Sequence, residues 1–223
     1  MKRIKLCNRK LPAYTMGEEI MNMVTHIVGG AMAIVITILC VLRAVRHENT
    51  LGLIGSVIYG FTMITTYTIS SVYHGLRTVT SKKVLQILDH CAIYFLISGT
   101  YTPILLSAFV PNLPALGWAG MIFQWGLAIF AATLTAIDLR RYRVISMVCY
   151  IAMGWSIIFF VPQLLQVAEQ TAFSYLLAGG ISYTIGAILY GIGSKKHWMH
   201  SVFHIFVVLG SFLQFIAIYG FIL

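Results

Sequence analysis

The chain has 223 residues, 59% of them hydrophobic and 9% charged, with a mean hydropathy of +0.88. A soluble domain carries about 25% charged residues, so nothing in this composition suggests a soluble fold. The net charge of +9 is not the footprint of a nucleic-acid binder, because the cations sit in short clusters between apolar runs, as membrane-orientation signals do.

The first five residues, Met1-Lys2-Arg3-Ile4-Lys5, superficially resemble the basic start of a signal peptide. The first apolar run begins only near Ile20 and is too long for a signal-peptide core, so no cleavage is expected. Thr15-Met16-Gly17-Glu18 matches the S/T-x-x-E capping box and predicts a helix start near Met16. Seven apolar stretches follow, at approximately 20–43, 51–74, 84–108, 115–137, 144–162, 172–193 and 198–222. Each is long enough to span about 30 Å of hydrocarbon.

The connections are short, so consecutive helices are neighbours of alternating direction. The expected architecture is an all-α membrane protein, a seven-transmembrane-helix bundle forming one integral membrane domain over residues 1–223. No internal repeat supports an inverted-repeat transporter. Val110-Pro111-Asn112-Leu113-Pro114 reads as a turn on the outside, and Gln166, Glu169 and Gln170 mark another. Trp118, Trp155 and Trp198 fall near the expected interfaces, where tryptophan anchors helices, and Trp125 lies further in. Gly179, Gly180, Gly186, Gly191 and Gly193 in the sixth stretch point to close helix packing. Cys7, Cys40, Cys91 and Cys149 are scattered and read as small hydrophobes rather than a disulfide framework.

Orientation follows from the basic residues. Thirteen Lys and Arg fall on the side of the N-terminus, and only Arg43 and Arg46 fall on the other. The positive-inside rule then puts the N-terminus in the cytoplasm and the C-terminus outside.

Ionisable residues inside spans are costly and by default mark function. Glu19 and His26 lie in the first stretch, His74 ends the second, Asp89 and His90 open the third, Asp138 ends the fourth, and His200 and His204 open the seventh. All are toward the inner leaflet. At about 1.5 Å of rise per residue, His204, Asp89 and His74 lie roughly 12, 9 and 4.5 Å along their helices from flanking basic residues. Helix tilt is enough to bring them to one layer.

His200 and His204, four apart, share a helix face and can hold one metal ion. His74 closes the site as a third ligand, and three imidazoles favour zinc over magnesium or calcium. Ser70, one turn before His74, is a candidate supporting partner. Asp89 is a candidate to orient the attacking water or accept its proton, with the metal lowering the pKa of that water to about 7. A proton relay through the same groups is the main competing chemistry. Glu19, Asn22 and His26 suggest a second polar cluster or a structural network beneath the site. His90 and His197 read as satisfied interfacial residues, and Asp138 beside Arg140 and Arg141 as a helix-end charge.

Four elements carry a family resemblance: Glu19-x-x-Asn22-x-x-x-His26, Ser70-x-x-x-His74, Asp89 within Leu88-Asp89-His90-Cys91-Ala92-Ile93-Tyr94-Phe95-Leu96-Ile97-Ser98-Gly99-Thr100-Tyr101-Thr102-Pro103, and His200-x-x-x-His204. In this order, over almost the whole chain, they resemble the progestin and adipoQ receptor superfamily, specifically its bacterial hemolysin III-like, membrane-homeostasis branch. The resemblance implies seven helices with the N-terminus inside and zinc on His74, His200 and His204. It also implies that Ser70 and Asp89 stand beside the catalytic water.

Animal receptor members of the superfamily are linked to ceramidase activity, and bacterial members to membrane energetics and cytolysis. Three functions are therefore expected to compete. They are a zinc-dependent hydrolase of lipid amide or ester bonds, a sensor or homeostasis protein with structural zinc, and a pore-forming cytolysin. The expected setting is a bacterial plasma membrane, with lipids as substrate or ligand and no nucleic acid. No long domain precedes the first span and no tail follows the last, so a protein-hormone ligand is not expected. Ser201 and Gln214 are the departures noted on the seventh helix.

Overall fold

The computed structural model describes residues 6, 9–193 and 196–223. Met1 to Lys5, Cys7 and Lys195 lie outside the described residues, and with them the readings of the first basic cluster and of Cys7. Seven helices are long and apolar enough to cross a membrane: α1 Met16–Arg46, α2 Thr50–Gly75, α3 Val79–Asn112, α4 Pro114–Asp138, α5 Arg143–Val167, α6 Gln170–Gly193 and α7 Met199–Phe221. They coincide with the seven predicted stretches, and no strand occurs among the described residues. The protein is a multi-pass membrane bundle.

α3 is the central helix and the most buried of the seven. The most extensive interfaces are those of α6 with α7, α1 with α2, and α2 with α3. Small residues permit them. A Cβ on Gly179 would meet the Gln214 amide at 2.6 Å, and one on Gly210 would meet the Tyr183 ring at 2.8 Å. With no hydrophobic drive between helices in lipid, such close backbone approach is the main source of packing energy. Cys40, Cys91 and Cys149 are buried free thiols, as expected of small hydrophobes.

α1 starts where the capping box predicts. The Thr15 hydroxyl accepts from the Glu18 amide at 3.2 Å, and the Glu18 carboxylate accepts from the Thr15 amide at 2.8 Å. Glu18 also reaches across the bundle. Its Oε1 accepts from the Trp198 backbone N–H at 2.7 Å, and its Oε2 lies 3.2 Å from His197 Nδ1. Trp198 is held at φ 66°, a left-handed conformation that a bulky residue rarely adopts, and it is the N-cap of α7. One carboxylate thus joins the starts of α1 and α7 and sets the register of the histidines that follow on both.

Two helices are irregular. The segment 110–114 is not a free turn: the helical run of α3 continues through a π-segment at Leu105–Phe109 to Asn112, and only Leu113 breaks it. Pro103 removes one N–H from the ladder of this helix. In α5, a 3₁₀ segment at Ser156–Phe160 precedes Pro162. The groups it releases are recaptured from α3 and α4. The Tyr101 hydroxyl donates to Gly154 O at 2.8 Å and accepts from Ile157 N–H at 3.2 Å, while Gln124 Nε2 donates to Met153 O at 3.1 Å. Such recapture is what allows a broken helix in a membrane. Trp155, expected as a belt residue, sits midway along α5 and turns inward, its indole N–H donating to Thr184 Oγ1 at 3.0 Å.

Candidate metal centre

His74 is in the last turn of α2, and His200 and His204 share one face of the first turns of α7. The docking of α1, α2 and α7 brings them together. One ring nitrogen of each lies within 4.8 Å of the other two, and all three side chains are buried, so this group can hold a metal ion. The Nε2 atoms of His200 and His204 are 3.1 Å apart. Nitrogens bound about 2.0–2.1 Å from a tetrahedral zinc stand roughly 3.3 Å apart, so the observed spacing is compatible with two ligands on one ion.

The buried polar atoms test the fit. His74 Nδ1 lies 2.7 Å from Glu19 Oε2. Nδ1–H therefore donates to the carboxylate, and the Nε2 lone pair is left free. Nε2 is buried and has no hydrogen-bond partner. A carboxylate behind a histidine is the usual device for fixing the tautomer and aim of a metal ligand. Glu19 is itself held by Lys82, whose Nζ donates to Oε1 at 2.6 Å and to the Leu76 carbonyl at 3.2 Å.

Asn22 stands between the two sides of the site. Its Oδ1 accepts from the Ser201 hydroxyl at 2.6 Å, and its Nδ2 lies 3.4 Å from His74 Nδ1. The His26 ring stacks on His204, with centroids 3.8 Å apart and planes 17° apart. Neither His26 nitrogen has a partner. Glu19, Asn22 and His26 therefore touch the three-histidine group itself, and Ser201 is part of the same network.

A cavity of about 180 Å³ opens from this group into the bundle. His26, Ser70, Asp89, His200 and His204 line its histidine end, and the rest of the wall is mostly apolar side chains from α3, α5, α6 and α7. Ser70 Oγ is buried without a partner. Asp89 is half-buried, ten residues into α3 rather than at its start. Gln214 lines the same cavity and donates to Leu176 O at 3.0 Å.

His90 and His197 are satisfied, as expected. His90 Nδ1 lies 2.8 Å from Gln86 O and its Nε2 3.1 Å from the Tyr190 hydroxyl, while His197 pairs with Glu18. The Asp138 carboxylate accepts from the Arg140 and Arg141 amides at 3.1 Å each, closing the end of α4.

Sequence reasoning missed Tyr14, which precedes α1 and stacks on His200 with centroids 4.9 Å apart. Burial pushes its phenol above the ordinary tyrosine value, so it stays neutral over the site. It also counted Lys82 only as an orientation charge. Its place eight residues after His74, across a short loop, was the available signal.

Fold and site together define a multi-pass membrane protein of seven helices with a buried three-histidine group at one end of the bundle. The chain belongs to the haemolysin-III related family, whose profile matches residues 14–215. It is 36% identical to hemolysin-3 of Bacillus cereus over 206 residues, covering 92% of each chain. It is 33% identical to a hemolysin-3 homolog of Bacillus subtilis (strain 168) over 205 residues, covering 92% of this chain and 94% of that one. A more distant similarity, 25% over 177 residues, covers 74% of this chain and 69% of the human monocyte to macrophage differentiation factor. These findings agree with the resemblance carried by the four motifs.

Proposed function

We propose that this protein is a zinc-dependent hydrolase of lipid amide or ester bonds, acting at the cytoplasmic leaflet of a bacterial plasma membrane. The observation that carries this reading is the cavity. A structural zinc site is closed by protein ligands, whereas a catalytic one keeps a position open. Here the two α7 histidines border a cavity whose remaining walls are mostly apolar and suited to an acyl chain.

His74, His200 and His204 would hold the ion. When bound, zinc supplies a Lewis acid that polarises a carbonyl and makes water a nucleophile near neutral pH. The chain's own groups do the rest. Glu19 and Lys82 hold the His74 tautomer. Tyr14 covers His200 and keeps bulk water from it. Asp89 is the proton acceptor for the attacking water, and it later returns that proton to the leaving amine or alcohol. The unpartnered Ser70 hydroxyl is a donor for the substrate carbonyl. The apolar wall holds the hydrocarbon and excludes water.

The test uses full-length protein purified without chelator. Elemental analysis should give one zinc per chain, and a panel of lipid amides and esters should reveal turnover. Asp89→Asn should keep the zinc and lose turnover. If Asp89→Asn turns over lipid like the parent, Asp89 is not the proton acceptor; if the parent itself cleaves no lipid of the panel, the hydrolytic reading fails. If zinc is bound but no lipid is cleaved, the ion is structural and the protein is a sensor or homeostasis component. The name of the Bacillus cereus relative favours a second reading, a cytolysin. Release of trapped dye from protein-free liposomes on addition of the purified chain would support it.

A further inference from the structure

We propose that the histidine end of the bundle carries a binding site for a net-anionic phosphate group, in a basic vestibule beside the metal centre. The vestibule is a separate cavity of about 510 Å³. Arg9, Lys10, Arg140, Arg143 and Lys196 line it. They come from three places: the segment before α1, the α4–α5 connection with the start of α5, and the α6–α7 connection. Among the described residues in its wall, Glu18 is the acidic one. Its carboxylate is already engaged by Thr15, His197 and the Trp198 amide.

A bias toward Lys and Arg on one side of a membrane explains why these residues are basic. It does not explain why five of them converge from three segments on one concavity, where like charges oppose one another. A second observation points to a ligand. Arg9 Nη1 is buried and has no hydrogen-bond partner. A charged donor buried without an acceptor is costly, and an anion in the vestibule would remove that cost. The guanidinium fork matches phosphate oxygens in geometry as well as charge. Basic pockets between membrane helices bind anionic headgroups by this chemistry.

The vestibule also adjoins the apolar cavity. His90 and Tyr190 border both, and Tyr14, stacked on His200, lines the vestibule. His90 and Tyr190, 3.1 Å apart from Nε2 to hydroxyl, are thus the wall between a headgroup held by the cations and the cavity that leads to the histidines. The site stands as a binding site whether or not the centre cuts lipid. As a substrate preference, for anionic over neutral lipids, it rests on the hydrolase reading above.

The experiment measures binding rather than turnover, so that the two readings fail separately. Full-length protein in a non-ionic detergent is titrated calorimetrically with dihexanoyl phosphatidylglycerol, dihexanoyl phosphatidylcholine and inorganic phosphate. The expected result is phosphatidylglycerol binding at least tenfold tighter than phosphatidylcholine. It should weaken at least tenfold in Arg9→Gln/Arg143→Gln and again in Lys10→Gln/Arg140→Gln. The charge-matched control Arg77→Gln/Arg141→Gln, on the same side but outside the vestibule, should bind like the parent. Thermal unfolding and metal content show that each variant is folded. Phosphatidylglycerol binding more tightly than inorganic phosphate assigns the anion to a lipid, and equal binding assigns it to free phosphate. Either outcome upholds the site. Equal affinity for the two lipids, or phosphatidylglycerol affinity unchanged in both vestibule variants, overturns it.

Discussion

At the end of the bundle away from the histidines, several buried hydroxyls close on their own helices. Ser56 donates to Gly52 O at 2.7 Å, Thr100 to Leu96 O at 2.8 Å and Thr102 to Ser98 O at 2.7 Å. Around them pack Tyr59, Ile104, Phe109 and Ile218, all nearly inaccessible. The histidine end buries polarity differently. Both nitrogens of His26, Ser70 Oγ, His74 Nε2 and the Nδ1 atoms of His200 and His204 are buried without partners. An unsatisfied buried group costs about 1–3 kcal/mol. That cost is concentrated around the histidines, whereas elsewhere in the bundle it falls singly, on Arg43 Nε, Gln124 Oε1 and Gln163 Oε1. The three histidines at the other end form the group that could hold a metal ion.

The sharpest way to break this contrast is to remove the lone pairs. A His74→Ala/His200→Ala/His204→Ala variant should lose its metal to background in elemental analysis. On the proposed function it should lose hydrolysis by at least ~10³-fold, the scale of losing a whole catalytic apparatus. Its helical circular dichroism should persist, because the far-end core is untouched. Stoichiometric metal in that variant would show that the three histidines are not the ligands.

The next effect tests the group behind the ligand. Glu19→Gln keeps the shape but weakens the acceptor for His74 Nδ1–H, and should lower metal affinity by roughly 10- to 100-fold in a competition titration with a chelating dye. Thr100→Val, at the far end, should leave that affinity unchanged.

Packing at the far end is probed by Gly55→Ala, whose new Cβ would meet the Pro103 backbone at 2.7 Å. Overpacking of this kind costs about 1–3 kcal/mol, and should appear as a lower Tm with metal affinity intact. Gly126→Ala, with nothing within 4 Å of the added carbon, should leave Tm where it was. The smallest expected change is Thr15→Ala. Loss of the N-cap costs about 1 kcal/mol. It also frees the Glu18 carboxylate that ties α1 to α7, so thermal unfolding with and without metal should show a larger loss in the metal-bound form.

Much of this protein is legible along the chain. Runs of 18 or more apolar residues have few solutions in a bilayer, because every backbone amide must be paired within its own segment. That is why seven helices, the capping box at Thr15 and the shared face of His200 and His204 follow from local pattern. Local pattern also places Glu19, His26, His74 and Asp89 toward one end. It does not say which of these meet.

The tertiary structure decided the rest. Glu19 and His74 are 55 residues apart in sequence and 2.7 Å apart in space. Glu18 and Trp198 are separated by 180 residues and joined at 2.7 Å. Trp155, immediately before the 3₁₀ segment of α5, turns inward and donates to Thr184 of α6. Each of these depends on the rotation and depth of one helix relative to another, and on where a broken ladder finds replacement partners. Periodicity fixes which residues share a face of one helix. Only the packing of small residues between helices fixes which faces meet, and so turns separate histidines into one buried group.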